Sequence, residues 1–354
     1  MDILKKLETD FGTQQAILNW ISKIDLFKGK WNIVGNEDNK YLRELRKIAT
    51  IESIGSSTRI EGVQMTDKEV SDLLKNIKVI KFKSRDEEEV AGYYETLEVI
   101  IDNYEEIPVS ESQVKNLHNM LLKFSGKDQH HRGDYKKLTN KVVANYPDGQ
   151  QRVIFQTTEP HLTTTEMQAI IDWARNQFEN GPLHPLLTIA AFVYEFLSIH
   201  PFQDGNGRMA RLLTNLLLLR CGYQFIQYIS FEHLIEERKK GYYEALMQGQ
   251  KNRGNVQENM VSWISFFLEC LQTLTERLDQ KYNSFKSKGN YLNDRQKKIV
   301  DLIKEKQPVK LNDIRKAFEE ISINTIKKDL QYLKTEGQIE TAGDGKGTVY
   351  FLKS

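Results

Sequence analysis

Apolar positions recur at helical intervals along most of the 354-residue chain. In residues 1–110, where proline is nearly absent, Leu4, Leu7 and Phe11, then Leu42, Leu45, Ile48, Ile51 and Ile54, keep that spacing, and several helices are predicted. A further amphipathic helix is expected over 111–125. The pattern then changes. Residues 126–160 hold Gly126, Gly133 and a Pro147-Asp148-Gly149 turn between the β-favouring runs KVVANY and QRVIF, which predicts a hairpin over 141–156. Helix returns over 163–180, with Thr163 and Glu166 at capping-box spacing.

Two segments are apolar on nearly every side, LHPLLTIAAFVYEFLSIH and MARLLTNLLLLRCGY, and both are expected at the centre of the fold. Helices follow over 231–250 and 256–285, the second carrying Trp263, Phe266 and Phe267. The polar stretch 281–294, with Gly289, reads as a linker. Beyond it, helices over 293–305, 310–319 and 322–335 precede a strand, a Gly-rich turn and a second strand, the pattern of a winged helix-turn-helix. The expected architecture is mainly α. A helical region at 1–110 precedes a helical bundle with a β-hairpin at 111–288 and a winged helix at 289–354.

Composition narrows this little. With 50 basic and 49 acidic residues the net charge is +1, so no global field points to nucleic acid or membrane. The N-terminal residues lack a signal-peptide apolar run. Glu195, Thr214, Asn215 and Arg220 interrupt the longest apolar segments before they reach a membrane span. Cys221 and Cys270 have no metal-ligand company and read as buried thiols. A cytoplasmic protein is expected.

The chemistry concentrates in HPFQDGNGRMAR, His200 to Arg211, between the two central helices. Gly205-Asn206-Gly207 opens the second helix, where unpaired N–H groups and the helix dipole favour an anion. Arg208 and Arg211 lie three apart, on one side of that helix, and suit more than one phosphate. Asp204 beside phosphates fits Mg²⁺. His200, at the end of the preceding helix, is able to take a proton from an attacking hydroxyl. Phe202 reads as a hydrophobic anchor. A lone His or Gly-x-Gly is usually structural, but the cluster as a whole has no structural use between two buried helices, where unpaired charge is costly.

All fixed positions of this segment match the Fic signature, H-x-F-x-[DE]-G-N-G-R-x-x-R, and residues 111–275 resemble the Fic core. The resemblance implies transfer of AMP from ATP to a hydroxyl of a target protein, and of the chain itself. His200 would be the base and Asp204 the Mg²⁺ ligand. Asn206 with the amides of Gly205 and Gly207 would cradle the α-phosphate, and Arg208 and Arg211 would take the β- and γ-phosphates. It also implies that the hairpin is a flap docking the target by main-chain pairing, with Val153, Ile154, Phe155 and Gln156 as its residues. Read without the resemblance, the hairpin is an edge that only packs. Tyr242 and Tyr243 could stack on a base or pack in the core.

Upstream, SIGSSTRIEGVQ places Ser57 and Glu61 four apart on one helix face, with Gly62 as a natural stop. A glutamate at a helix C-terminus opposes the dipole, which a basic partner would explain; alone it reads as solvated. The run resembles the Fic inhibitory motif, [ST]-x-x-x-E-[GN]. That implies that Glu61 pairs with Arg211 and displaces the γ-phosphate.

In the C-terminal module Lys327 and Lys328 sit near the start of the expected recognition helix, with Asp329 and Glu336 on the same helix. Thirteen basic against ten acidic residues in 291–354 make a weak electrostatic footprint for DNA. Winged helices also dock proteins or pair into homodimers. The alternative to the transferase is a winged-helix DNA-binding regulator whose Fic-like part senses nucleotide; an intact His200 favours the transferase, because a sensor needs no base.

Overall fold

The computed structural model describes residues 3–34, 40–77, 81–145, 151–289, 294–318, 320–335, 337–343 and 345–352. The chain divides into two compact units, residues 1–279 and 280–354. In the first, helices α1 (Phe11–Val34), α2 (Lys40–Ile60), α3 (Asp67–Asn76), α4 (Arg85–Asn103) and α5 (Glu111–Leu121) precede strands β1 (Lys141–Asn145) and β2 (Gln151–Gln156). Then come α6 (Pro160–Asn180), α7 (Pro185–Ile199), α8 (Asn206–Arg220), α9 (Phe231–Glu237), α10 (Lys239–Gln250) and α11 (Val261–Gly289), whose residues from 280 onward are counted with the second unit. No helix among the described residues is long and apolar enough to cross a membrane.

α7 and α8 are the axis of this unit. Every α7 residue except Pro185 and Leu187 is buried, and so is every α8 residue except Gly207 and Arg220. Each large apolar side chain so enclosed contributes about 1.5–3 kcal/mol relative to exposure. α6 and α8 flank α7, and Trp263 of α11 donates its indole N–H to the Ala190 carbonyl at 2.8 Å. The charge within α7, Glu195, is fully buried and paired with Lys6 at 2.5 Å and Arg253 at 2.9 Å. The region 1–110 is not a separate body: α2 packs on α4 and α9, and α4 on α5 and α8.

Several sequence expectations give way locally. Leu4 and Phe11 are exposed; α1 instead buries Ile21, Ile24, Phe27 and Trp31. α6 begins at Pro160 rather than Thr163, because proline at the first helical position is pre-organised for the helix. Thr163 then bonds back to the Glu159 carbonyl, and Glu166 accepts from Thr158 instead of closing a capping box. The helix expected over 231–250 breaks at Arg238. The stretch 281–289 continues α11 as helix, since its polar residues include no proline, and Tyr282 is buried.

β1 and β2 form the expected antiparallel hairpin. Val142 pairs with Phe155 and Val143 with Val153, so the register shifts at Ile154. The Pro147-Asp148-Gly149 turn and the side chains of Val153, Ile154 and Gln156 lie outside the described residues.

The second unit contains α12 (Asp294–Lys306), β3 (Val309–Lys310), α13 (Leu311–Ala317), α14 (Ile323–Thr335), β4 (Ile339–Ala342) and β5 (Val349–Leu352), in a sheet of order β3-β5-β4. Ile299, Ile303, Ile314, Ile326, Leu330, Leu333 and Ile339 fill its core. This is the expected winged helix. Asp329 is not on the surface of α14: it is buried and pinned to Arg295 at 2.5 Å, while Lys327 and Lys328 are exposed. Glu336 lies outside the described residues.

Candidate active site

α7 ends at His200, whose backbone is left-handed (φ 54°, ψ 61°), the sole non-glycine residue with positive φ among the described residues. Such a conformation is costly for a residue with a Cβ and persists where surrounding contacts fix it. His200 Nδ1 lies 3.3 Å from the Leu197 carbonyl. That contact requires a proton on Nδ1 and leaves the Nε2 lone pair free. Burial, then the neighbouring charge of Lys136, pushes the imidazole pKa down to about 4. His200 is therefore neutral, with a base nitrogen, at any pH above that.

The loop that follows is locked from within. Phe202 is fully buried and stacks on His118, ring centroids 3.6 Å apart. Gly133 N–H donates to His118 Nδ1, so His118 Nε2 carries the proton and donates to the Asp204 carbonyl at 3.0 Å. Burial holds the His118 pKa down at about 4, which keeps this neutral form. The Asn206 side chain closes the loop twice, accepting from Phe202 N–H at 2.8 Å and donating to the Phe202 carbonyl at 2.7 Å. Its carboxamide is thus committed to the loop. What Asn206 offers an anion is its backbone N–H, which with those of Gly207 and Arg208 opens α8 without an intrahelical acceptor. Gly205, at φ 78°, supplies the turn into the helix.

His200, Asp204, Gly205, Asn206, Gly207 and Arg211 surround one cavity of about 230 Å³, with Glu61 and Phe155 also in its wall. Tyr242 and Tyr243 line it too; Tyr242 is buried against Tyr243 and Trp263. The cavity is smaller than the roughly 300–1,000 Å³ of ordinary small-molecule sites, and Glu61 bounds it on one side. A larger cavity, about 710 Å³, opens beside Thr158 and Arg253. Of the charges around it, Lys6, Arg253, Glu166 and Glu258 are engaged with one another or with Glu195. The smaller cavity is the one that joins a neutral base to helix-terminal amides and a guanidinium.

Glu61 stands just past the last residue of α2, which Gly62 ends at φ 112°. Its Oε1 accepts from Arg211 Nη2 at 2.7 Å. Ser57, one turn earlier, binds the same guanidinium twice: Nε donates to its hydroxyl at 2.8 Å and Nη2 to its carbonyl at 2.9 Å. Burial would raise the Glu61 pKa, but the charge and hydrogen bond of Arg211 overcome that and hold it low. The carboxylate also lies against Gly207, where any Cβ would overlap it.

Arg208 does not line the cavity. It is buried and turned toward α4, with Nη1 2.8 Å from Glu89 and Nη2 3.3 Å from Asp204. Its Nε has no hydrogen-bond partner among the described residues. Asp204, about one-third exposed, also meets Arg85 at 3.2 Å. Burial opposes its ionisation, but Arg208, the Gly205 amide and Arg85 outweigh that and lower its pKa. Glu89, Arg85, His118, Lys136 and Asn140 carry no motif that would have singled them out in the sequence.

Residues 108–218, which include the hairpin and the loop after His200, match the model of the Fic/DOC family. The chain carries a Fic domain. Residues 295–343 match the DeoR-like helix-turn-helix domain. The segment Ser57–Gly62 lies outside both matches. Over 239 residues the chain is 27% identical to the protein adenylyltransferase Fic of Drosophila willistoni, covering 67% of this chain and 43% of that relative. The Drosophila melanogaster protein of the same name matches equally, at 27% over 239 residues. The chain thus spans less than half the length of these curated relatives. A Fic family protein from Desulfovibrio desulfuricans has the same fold, with a TM-score of 0.64 at 23% identity over 95% of both chains. Fic-1 from C. elegans gives 0.58 at 20% identity, over 77% of this chain and 73% of that one. The Fic domain therefore sits in a helical unit whose fold recurs in those two proteins.

Proposed function

We propose that this chain is a protein adenylyltransferase, held back by Glu61, that moves AMP from ATP to a hydroxyl side chain of a target protein and of itself. The observation that carries this is the convergence of a neutral imidazole, the amides opening α8, and Arg211 on one cavity. The Drosophila relatives named protein adenylyltransferase support the same chemistry.

In this reading the amides of Asn206 and Gly207 hold the α-phosphate. Arg211, once free of Glu61, holds the γ-phosphate; Arg208 reaches the phosphates by leaving Glu89 and Asp204. His200 Nε2 takes the proton of the target hydroxyl as its oxygen bonds to the α-phosphorus. The bond to the β-phosphate oxygen breaks, and pyrophosphate leaves with the electron pair. Asp204 is ionised, stands beside the first amides of α8 and is partly open to solvent, the single-carboxylate donor set with which Mg²⁺ is shared between protein and phosphates. Bound there, Mg²⁺ would neutralise charge developing on the phosphates. Tyr242 and Tyr243, which line the cavity, would face the nucleotide, and β2 would pair with an extended target segment.

The deciding experiment is the intact mass of the full chain after incubation with Mg²⁺ and ATP, alone and with Glu61→Gly. A gain of one AMP residue supports the reading. No gain in either protein, with ATP binding intact, would leave the nucleotide-sensing alternative. Burial of Asp329 leaves Lys327 and Lys328 exposed on α14, which supports DNA contact by the second unit; salt-dependent binding to duplex DNA, lost on changing both lysines to Glu, would test it.

A further inference from the structure

Four consecutive carbonyls run through the left-handed turn at His200, and two residues from elsewhere in the chain take all four. The Lys136 ammonium donates to the Ile199 carbonyl at 2.9 Å, and its backbone N–H to the Pro201 carbonyl at 2.8 Å. Asn140 donates to the Phe202 carbonyl at 2.8 Å and, at 3.4 Å, to that of His200. Lys136 is buried, which is unusual for a lysine unless its charge has work to do. Its other two bonds go to Asn140 Oδ1 at 3.0 Å and Thr157 Oγ1 at 2.8 Å. Thr157 is the first residue after β2, and its hydroxyl also lies 2.5 Å from Asn140 Oδ1. The ammonium therefore has three acceptors, one on each of three segments: the loop before β1, the residue after β2, and the end of α7.

We propose that Lys136 is a positioning residue: it fixes the strained backbone that aims His200 and, through Thr157, ties that backbone to the hairpin on which a target would dock. A hairpin that only packed would need no buried charge at its base, and a strained histidine needs its surroundings to over-determine it. The bracket supplies both. Movement of β2 is passed through Thr157 to the ammonium and from there to the carbonyl preceding His200. The role rests on the reading of His200 as the base.

The test separates the two. In the full chain carrying Glu61→Gly, Lys136→Met should lower kcat for AMP incorporation about a hundredfold while the KM for ATP moves less than about threefold. Lys136→Arg keeps a charge and donors and should recover at least about tenfold of that loss. Thr157→Val should lower kcat by about tenfold, and the double variant should be no worse than Lys136→Met alone. Independently of any transfer, the ring titration of His200 is followed by NMR in the otherwise unaltered chain, with His200→Ala assigning the signal. The charged and titratable groups around that ring are Lys136 from the loop before β1, Glu61 from the end of α2 and Asp204 from its own loop, with Arg211 of α8 and Tyr242 and Tyr243 of α10 also lining the cavity. Lys136→Met should move the midpoint upward. An unmoved midpoint, or a kcat within about threefold of the parent, overturns the proposal, as does a fall in rate matched by equal falls in ATP affinity and melting temperature. Additive losses in the double variant overturn the link through Thr157. If the Glu61→Gly chain incorporates no AMP, the transferase reading fails, and the His200 titration still decides the place of Lys136.

Discussion

Glu61 and Arg211, 150 residues apart in the chain, meet at 2.7 Å, and the pair spans the cavity wall where a terminal phosphate would be held. The two sides of the contact differ in exposure. Arg211 is 3% exposed and bound twice by Ser57, whereas Glu61 keeps a third of its side chain open to solvent. The guanidinium is the fixed member and the carboxylate the one able to leave.

A charge-assisted hydrogen bond of this kind is worth on the order of 1.5–3 kcal/mol, less where solvent reaches it. On the proposed reading ATP would have to displace Glu61 or bind out of line, and a small misplacement of reacting atoms costs about a hundredfold in rate. Glu61→Gly is therefore expected to raise auto-modification by about that factor. Arg211→Ala removes the inhibitor's partner and the phosphate's ligand together and should not activate. An unchanged rate of AMP incorporation in Glu61→Gly would return Glu61 to a surface role.

His200→Ala should abolish transfer with ATP affinity nearly unchanged, because the imidazole acts on the hydroxyl and not on the phosphates. The pH dependence follows from a pKa lowered to about 4 by burial and Lys136. The base works when neutral, so falling pH removes activity only as it passes the depressed folded value. In the Glu61→Gly chain, kcat/KM should stay flat from pH 7.5 down to about 5.5. An acid limb near 6.5, the value of an unperturbed histidine, would contradict the environment described.

Asp204→Ala, or excess EDTA, should abolish transfer. In the Glu61→Gly background, calorimetry should show ATP affinity rising with added Mg²⁺ in the parent and not in Asp204→Ala. Undiminished activity in EDTA would remove the metal role. Asp204 is now held by Arg85 and Arg208, so part of its loss should also appear as looser placement of those two side chains.

Much of this site was legible because its residues are contiguous. His200 to Arg211 form one loop whose glycines, carboxylate and guanidinium can be read in order, and the hairpin announced itself through two β-favouring runs. The Ser57–Glu61 face could be read as helix spacing, but its partner was named only by the resemblance. Arg208 and Arg211 were expected on one side of α8. Glu89 on α4 draws Arg208 away instead, and no spacing rule sees a partner on another helix. Lys136 and Asn140 were invisible for a further reason. They bind backbone carbonyls about 60 residues away, and a carbonyl has no identity in the sequence. At Pro160 and over 281–289 the readings erred because a cap pattern and polarity were weighed above a proline at the first helical position and above the lack of any proline to stop α11.

Gly207 gives a test of the Glu61 contact that needs no catalysis. It is the second residue of α8, and its φ is not positive, so the backbone accepts alanine, which is worth up to about 1 kcal/mol over glycine in a helix interior. What stands in its way is the Glu61 carboxylate: a Cβ there overlaps Glu61 Oε1 and comes within 3.3 Å of Arg211 Nη1. In the wild-type background Gly207→Ala must push the carboxylate off Arg211, and it should destabilise the first unit by about 1–2 kcal/mol once the helix gain is set against the lost pair. In the Glu61→Gly background the overlapping atoms are gone, and the same substitution should be neutral or stabilising. The two substitutions should thus show a coupling of about 1–3 kcal/mol by chemical denaturation, as expected for groups in contact. Activity should tell a different story. The methyl group projects into the space beside Arg211 Nη1, where the proposed reading puts a phosphate, so Gly207→Ala should stay inactive in both backgrounds, even where Glu61 no longer blocks Arg211. Equal stability changes in the two backgrounds would mean that Glu61 does not rest against α8 in solution.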